Sequence, residues 1–201
     1  MPFNTIHIFD LDGTTIDSLH RVKPCLKSNG DLDLQMYRDR ACSHDQVQKD
    51  SLLPLASYMQ DLIQAGKPVV ICTARKMSKT DYVFLRQNKM KPNFICSRDQ
   101  LFKRFNADHA KQIYGMKDAD YKRHWLQYLQ GMYPLHSMII YDDHDGVLEM
   151  AQNFGIMALD AKALNSISNA SYETGFQDAW DQFEAEADEL IQDVILGMVS
   201  A

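Results

Sequence analysis

Short apolar runs alternate along the chain with stretches whose apolar residues recur three or four positions apart. The runs occupy residues 6–9, 69–72, 93–96, 138–141 and 155–159, bounded by turn formers or acids. Strands buried on both faces of a parallel sheet read this way, whereas strands with one wet face alternate apolar and polar positions. Between the runs lie amphipathic stretches. Leu55, Ala56, Met59, Leu62 and Ile63 share one helical face, and Gly66 follows as a stop signal. Tyr82, Phe84 and Leu85 predict a helix after the second strand, and Trp125, Leu126 and Leu129 another before the fourth. Val147, Leu148 and Ala151 predict one more, closed by Gly155. Strands separated by helices imply βαβ units. The expected fold is therefore α/β, a Rossmann-like parallel sheet in three layers.

Two stretches break the alternation. Residues 16–51 are polar, carry little periodicity and are too long for a plain loop, so they predict a small insertion after the first strand. Residues 163–201 begin rich in Ser and Asn, then turn acidic and helical, with Phe176, Trp180, Phe183, Ala187, Leu190 and Val194 at helical spacing. The expected organisation is one domain over 1–162 and a helical extension over 163–201. The apolar face of that extension would pack on the domain or on a second copy of the chain.

The composition changes this picture only by exclusion. The 201 residues are 45% hydrophobic and 24% charged, an ordinary globular balance. A net charge of -6 disfavours broad electrostatic capture of nucleic acid, although one basic pocket for one phosphate is compatible with it. No run approaches the ~18 apolar residues of a membrane span, and the first residues lack a secretory pattern. Cys25, Cys42, Cys72 and Cys96 form no CxxC pair, and Cys42 with His44 lacks a second ligand pair for zinc. Cys72 and Cys96 lie in strand-like runs and read as buried free thiols. A reducing compartment fits this usage, and the cytoplasm is the expected location.

The candidate chemistry collects where strands end. Asp10-Leu11-Asp12-Gly13-Thr14 directly follows the first strand. In an open parallel sheet the active crevice lies outside the carboxyl ends of the strands, so both carboxylates emerge there. With one residue between them, one can attack a reacting atom while the other handles a proton. Gly13 permits a turn that a side chain would hinder. A simple Asx turn is the plainer reading. At the end of the second strand stand Thr73, Ala74 and Arg75. Thr73 could donate to a phosphate oxygen or cap a helix, and Arg75 could grip a phosphate or form a surface ion pair. Asp142, Asp143 and Asp145 follow the fourth strand. Three acids so close repel one another unless a cation shares them, and hard oxygen ligands suit Mg²⁺, whereas a helix N-terminus explains only part of the run. A lysine is also needed near a transferring phosphoryl group; Lys122 is the candidate and Lys117 its rival.

In this order the motifs resemble the haloacid dehalogenase-like (HAD) hydrolase superfamily over about residues 5–160. The resemblance implies that Asp10 is the nucleophile and Asp12 the general acid and base. It implies that Thr73 orients the phosphoryl group and that Lys122 steadies it. It implies that Asp142 and Asp143 hold Mg²⁺ together with Asp10 and the carbonyl of Asp12. An acid at the second position of DxD implies phosphatase rather than dehalogenase chemistry. A narrower resemblance is to the phosphatase half of phage polynucleotide kinase-phosphatases. It rests on Thr73-Ala74-Arg75, residues 79–81, Arg98, and Asp142-Asp143 with residues 147–150. No P-loop accompanies it. Together the two resemblances imply that Gly13, Thr14, Ala74, Arg75 and Arg98 contact substrate.

The expected activity is Mg²⁺-dependent hydrolysis of a phosphomonoester through an aspartyl-phosphate. Two substrates compete, a polynucleotide 3′-phosphate and a free (deoxy)nucleoside monophosphate. A small insertion leaves an open site for either. A binding protein that kept the fold without turnover is the alternative class, and the complete acid set argues against it.

Overall fold

The structure is a computed structural model and describes residues 5–30 and 32–174. Strand β1 (Thr5–Phe9) leads into a turn and then the two-residue strand β2 (Ile16–Asp17). Three short helices follow, α1 (Leu19–Val22), α2 (Leu34–Met36) and α3 (His44–Val47). Strand β3 (Ser51–Leu52) pairs antiparallel with β2, so the insertion leaves and rejoins the domain through one ribbon. The chain continues through α4 (Leu55–Gln64), β4 (Val69–Cys72), α5 (Lys79–Gln87) and β5 (Phe94–Cys96). Helices α6 (Leu101–Arg104), α7 (Ala107–Tyr114) and α8 (Asp118–Met132) precede β6 (Ser137–Asp142). Then come α9 (Asp145–Asn153), β7 (Met157–Asp160) and α10 (Ala161–Thr174).

The main sheet runs β5-β4-β1-β6-β7 and every pairing in it is parallel. The order reverses at β1, which places a crevice at the carboxyl ends of β1, β4 and β6. Alternate residues of each strand feed two cores. Ile6, Ile8, Val70, Cys72 and Ile140 meet Ile113, Tyr121, Trp125 and Val147 on the α7–α9 side. Phe9, Val69, Ile71 and Tyr141 meet Ala56, Met59, Phe84 and Ala161 on the α4, α5 and α10 side. This is the three-layer α/β arrangement that the apolar runs predict. Gly66, at φ 70°, ends α4 in the left-handed region that only glycine enters without strain.

The differences from the sequence expectation are small at the sheet and larger at the insertion. The third strand begins at Phe94 and the fifth at Met157, each later than the apolar run. The insertion has no long helix to produce a period. It is held by buried Arg21, whose Nε and Nη2 each donate to Asp50 at 2.7 Å. Residues 163–174 belong to α10, while positions 176–194 of the expected apolar face lie outside the described residues. Among the described residues no helix is long and apolar enough to cross a membrane. Cys25, Cys72 and Cys96 are buried and free.

Candidate active site

The end of β1 delivers Asp10 to the crevice, with its N–H on the Tyr141 carbonyl at 3.0 Å and its own carbonyl accepting from Thr15 Oγ1 at 3.1 Å. The carboxylate is buried. Its Oδ1 accepts from Lys122 Nζ at 2.8 Å, and the same ammonium reaches Asp142 Oδ2 at 2.5 Å. Lys122 lies on the buried face of α8 with Tyr121, Trp125, Leu126 and Leu129. Lys117 precedes that helix and is exposed. The spacing of Lys122 from Trp125, Leu126 and Leu129 was the signal that could separate the two lysines, because all four share one helical face.

Asp142 ends β6 with no exposure, and its Oδ1 accepts from His144 N at 3.1 Å. Asp143 points back at the first loop. A Cβ on Gly13 would lie 2.5 Å from Asp143 Oδ2, and Gly13 has φ 79°, so glycine is required there twice over. The amides of Gly13 and Thr14 close the turn on Ile16 O and Leu11 O. The Thr14 hydroxyl is buried without a partner among the described residues.

Asp12 stands in a different environment. Arg75 donates from Nε to Asp12 Oδ2 at 2.9 Å and from Nη2 to Oδ1, and Ser18 Oγ donates to Oδ1 at 2.5 Å. Arg75 also donates to Asp81 at 2.7 Å, and lies 3.9 Å from Asp50. Arg21 reaches within 4.0 Å of Asp12 from the insertion. Arg75 is therefore neither a surface ion pair nor a free phosphate grip but the centre of a buried network. Thr73 does not cap a helix. It is buried, its Oγ1 accepts from Arg75 N at 3.2 Å, and α5 starts six residues later behind Ser78. Arg98 is also engaged, by the carbonyls of Ala74 (2.6 Å), Met116 (3.1 Å) and Tyr114. The network residues Ser18, Arg21 and Asp50 escaped sequence reading, and Asp81 entered only within the segment 79–81 of the narrower resemblance. Asp81 also left a local trace, as the third helical residue after Ser78, whose N–H and hydroxyl donate to it.

The electrostatics separate the two DxD carboxyls. Burial pushes Asp10 up, to about 8; Lys122 opposes this, and Asp142 and Asp12 add to it. Burial pushes Asp12 up as well, but Arg75, Ser18 and Arg21 outweigh it and hold the carboxyl below its ordinary value. Asp143 is raised by burial and by Asp142. One ammonium thus faces Asp10 and Asp142 with Asp143 nearby, an excess of negative charge. Among the described residues no three His, Cys, Asp or Glu side chains converge on one point. Mg²⁺ does not need that, since waters and substrate oxygens complete its shell, so the Asp10 and Asp142 carboxylates, with Asp143 and a backbone carbonyl beside them, fit it.

Over 168 residues the chain is 44% identical to the 5′-deoxynucleotidase of Escherichia phage T5, covering 81% of this chain and 69% of that protein. A haloacid dehalogenase-like hydrolase from Streptococcus pneumoniae shares the fold with TM-score 0.53 and 18% identity, over 80% of this chain and 85% of that one. A chain of the Pnkp1/Rnl/Hen1 complex does so with TM-score 0.54 and 18% identity, over 80% and 46%. Residues 1–198 match the family described as Bacteriophage T5 5′-deoxynucleotidase. The chain is a HAD-fold phosphatase, and it belongs to the bacteriophage T5 5′-deoxynucleotidase family.

Proposed function

We propose that the protein hydrolyses the 5′-phosphate of deoxynucleoside monophosphates through an aspartyl-phosphate on Asp10. The observation that carries the reading is the Asp10–Lys122–Asp142 cluster at the ends of β1 and β6. An oxygen nucleophile stands there beside a fixed ammonium, at the switch point of the sheet. Of the two substrates left open by the sequence, the free nucleotide is favoured by the 44% identical phage T5 5′-deoxynucleotidase and by the net charge of -6.

In the first step an Asp10 oxygen attacks phosphorus in line. The Asp10–phosphorus bond forms as the bond to the 5′ oxygen breaks, and Asp12 gives that oxygen a proton. In the second step water gives a proton to Asp12 and attacks phosphorus, which frees Asp10 and releases phosphate. Thr73 orients a phosphoryl oxygen through its hydroxyl, and Lys122 stabilises charge on the group in flight. An anionic phosphate entering beside Arg75 competes with Asp12 for the guanidinium, which lets Asp12 take up the proton it donates. Asp10, Asp142 and Asp143, with the Asp12 carbonyl, would hold Mg²⁺, which offsets the repulsion between carboxylates and phosphate.

The test is a substrate panel with Mg²⁺. Deoxynucleoside 5′-monophosphates are expected to be turned over and 3′-phosphorylated oligonucleotides to be poor substrates. Beryllium fluoride with Mg²⁺ is expected to occupy Asp10 as a mimic of the aspartyl-phosphate. Full turnover by Asp10→Asn would remove the covalent step.

A further inference from the structure

We infer that the open cavity beside the loop after β4 is the base subsite of the nucleotide substrate. The inference rests on the proposed nucleotide activity and locates the part of the substrate that the phosphate chemistry leaves unassigned. The cavity holds about 350 Å³ and is lined by Lys76, Arg98, Asp99, Phe102 and Tyr114. That is the lower end of the roughly 300–1,000 Å³ of small-molecule sites.

Its place in the fold is set by backbone. Arg98 N donates to Arg75 O at 3.2 Å, and Arg98 Nε donates to Ala74 O at 2.6 Å. The cavity wall is thus continuous with the loop that carries Thr73 and Arg75. The wall rises from the end of β5, two strands from β1. Two interstrand spacings are about 10 Å. A nucleotide whose phosphorus meets Asp10 spans such a distance from phosphorus to base.

The walls are rigid, and two of their charges are already engaged. Besides its carbonyl bonds, the Arg98 guanidinium lies 4.5 Å from the centre of the Tyr121 ring. Asp99 accepts from Met77 N at 3.0 Å, Ser97 Oγ at 2.7 Å, Tyr82 OH at 2.9 Å and Gln100 Nε2 at 2.9 Å. Arg98 already commits three of its five N–H donors to carbonyls and pairs with Asp118 at 3.6 Å, and the Asp99 carboxylate repels a second phosphate. What faces the opening is different. Phe102 is 53% exposed although the neighbouring Leu101 is fully buried, so α6 is anchored by one residue and presents the other. The Tyr114 ring lies 6.2 Å away, tilted by 46°. Lys76 is exposed and has no hydrogen bond or ion pair among the described residues. An open aromatic ring with one free ammonium suits a flat π-faced ligand that carries acceptors on its edge, which describes a nucleobase. A second phosphate would need several convergent donors, and a long strand would need a basic track.

The experiment compares a deoxynucleoside 5′-monophosphate with 2-deoxyribose 5-phosphate, the same ester without its base. The wild-type protein is expected to prefer the nucleotide in kcat/KM. Phe102→Ala should lower that preference about tenfold, through KM for the nucleotide, while Phe102→Trp retains it. Lys76→Met should lower it less. Leu135→Ala, at an 83% exposed position before β6, should leave the preference as in the wild type. An unchanged preference in Phe102→Ala, an equal fall on both substrates, or a wild-type protein indifferent to the base each overturns the subsite and leaves the phosphatase reading standing. A wild-type protein that hydrolyses sugar phosphate but ignores nucleotides overturns both.

Discussion

Two ion clusters stand one strand apart at the carboxyl edge of the sheet, and they treat the same residue type in opposite ways. Around Lys122, a single ammonium is shared by Asp10 and Asp142. Around Arg75, two guanidiniums meet three acids: Arg75 forks onto Asp12 and donates once to Asp81, and Arg21 forks onto Asp50. Burial alone would raise both Asp10 and Asp12. It prevails at Asp10, which goes up to about 8, and fails at Asp12, which is held down. Fixed hydrogen bonds from planar guanidiniums explain the second outcome; in the first, burial outweighs Lys122, and Asp142 and Asp12 add to the rise. The compensated cluster is a scaffold that ties the insertion, through Arg21 and Asp50, to Asp12. The under-compensated one is where an added cation and a phosphoryl group gain most. Stability is sacrificed at the proposed nucleophile and kept at its neighbour.

The sharpest way to break this comparison is chemical. Asp10→Asn is expected to lower turnover on the order of 10⁴-fold or more, measured as kcat with saturating deoxynucleotide and Mg²⁺. Next comes stability. Lys122→Met leaves Asp10 and Asp142 buried without a cation and should cost about 3–5 kcal/mol at pH 8 in metal-free buffer, read from urea unfolding. Added Mg²⁺ should recover part of that loss if the acids can take a substitute cation. Arg75→Lys keeps the charge but loses the fork that serves Asp12 and Asp81 together. Its cost should be smaller, about 1–3 kcal/mol, with no recovery on adding Mg²⁺. Equal costs with equal Mg²⁺ recovery would mean that the two clusters do not differ in kind.

The same contrast explains what the sequence could convey. Sheet strands were legible because β1, β4 and β6 are buried on both faces and need unbroken apolar runs. Asp10, Asp12, Asp142 and Asp143 were legible because strand ends fix their positions. The insertion was not, because it is built from one-turn helices joined by Arg21 and Asp50, 29 residues apart, and an ion pair leaves no period. Arg75 was legible as a residue at the crevice, but its pairing with Asp12 and Asp81 was not. A guanidinium facing a crevice looks the same in sequence whether it binds a phosphate or a carboxylate. The partners of Arg98 were hidden for a related reason, since nothing local indicates that three backbone carbonyls engage it.

The finest test sets Asp10→Asn against Asp12→Asn in stability alone, without divalent cations, across pH 4–8. Asp10 has a native pKa near 8 against an ordinary value of 3.8, so between those limits the native state holds a proton that the unfolded chain has lost. Wild-type stability therefore falls as pH climbs through that window. Asparagine imitates the protonated carboxyl, so Asp10→Asn should be more stable than the wild type at pH 8 and converge with it near pH 4. Asp12 is shifted the other way. Its contribution is present above the ordinary carboxylate value and is lost as pH falls through its lower native one. Asp12→Asn should then be less stable at pH 8, by about 1–3 kcal/mol, and the gap should narrow only in acid. His7, buried and lowered to about 4, adds its own loss of stability as pH falls from 6.5. That loss is common to all three proteins and cancels in the differences. Two variants two positions apart that move stability in opposite directions at pH 8 would be the signature of the two clusters. Movement in the same direction would mean that burial, not the local partners, governs both carboxyls.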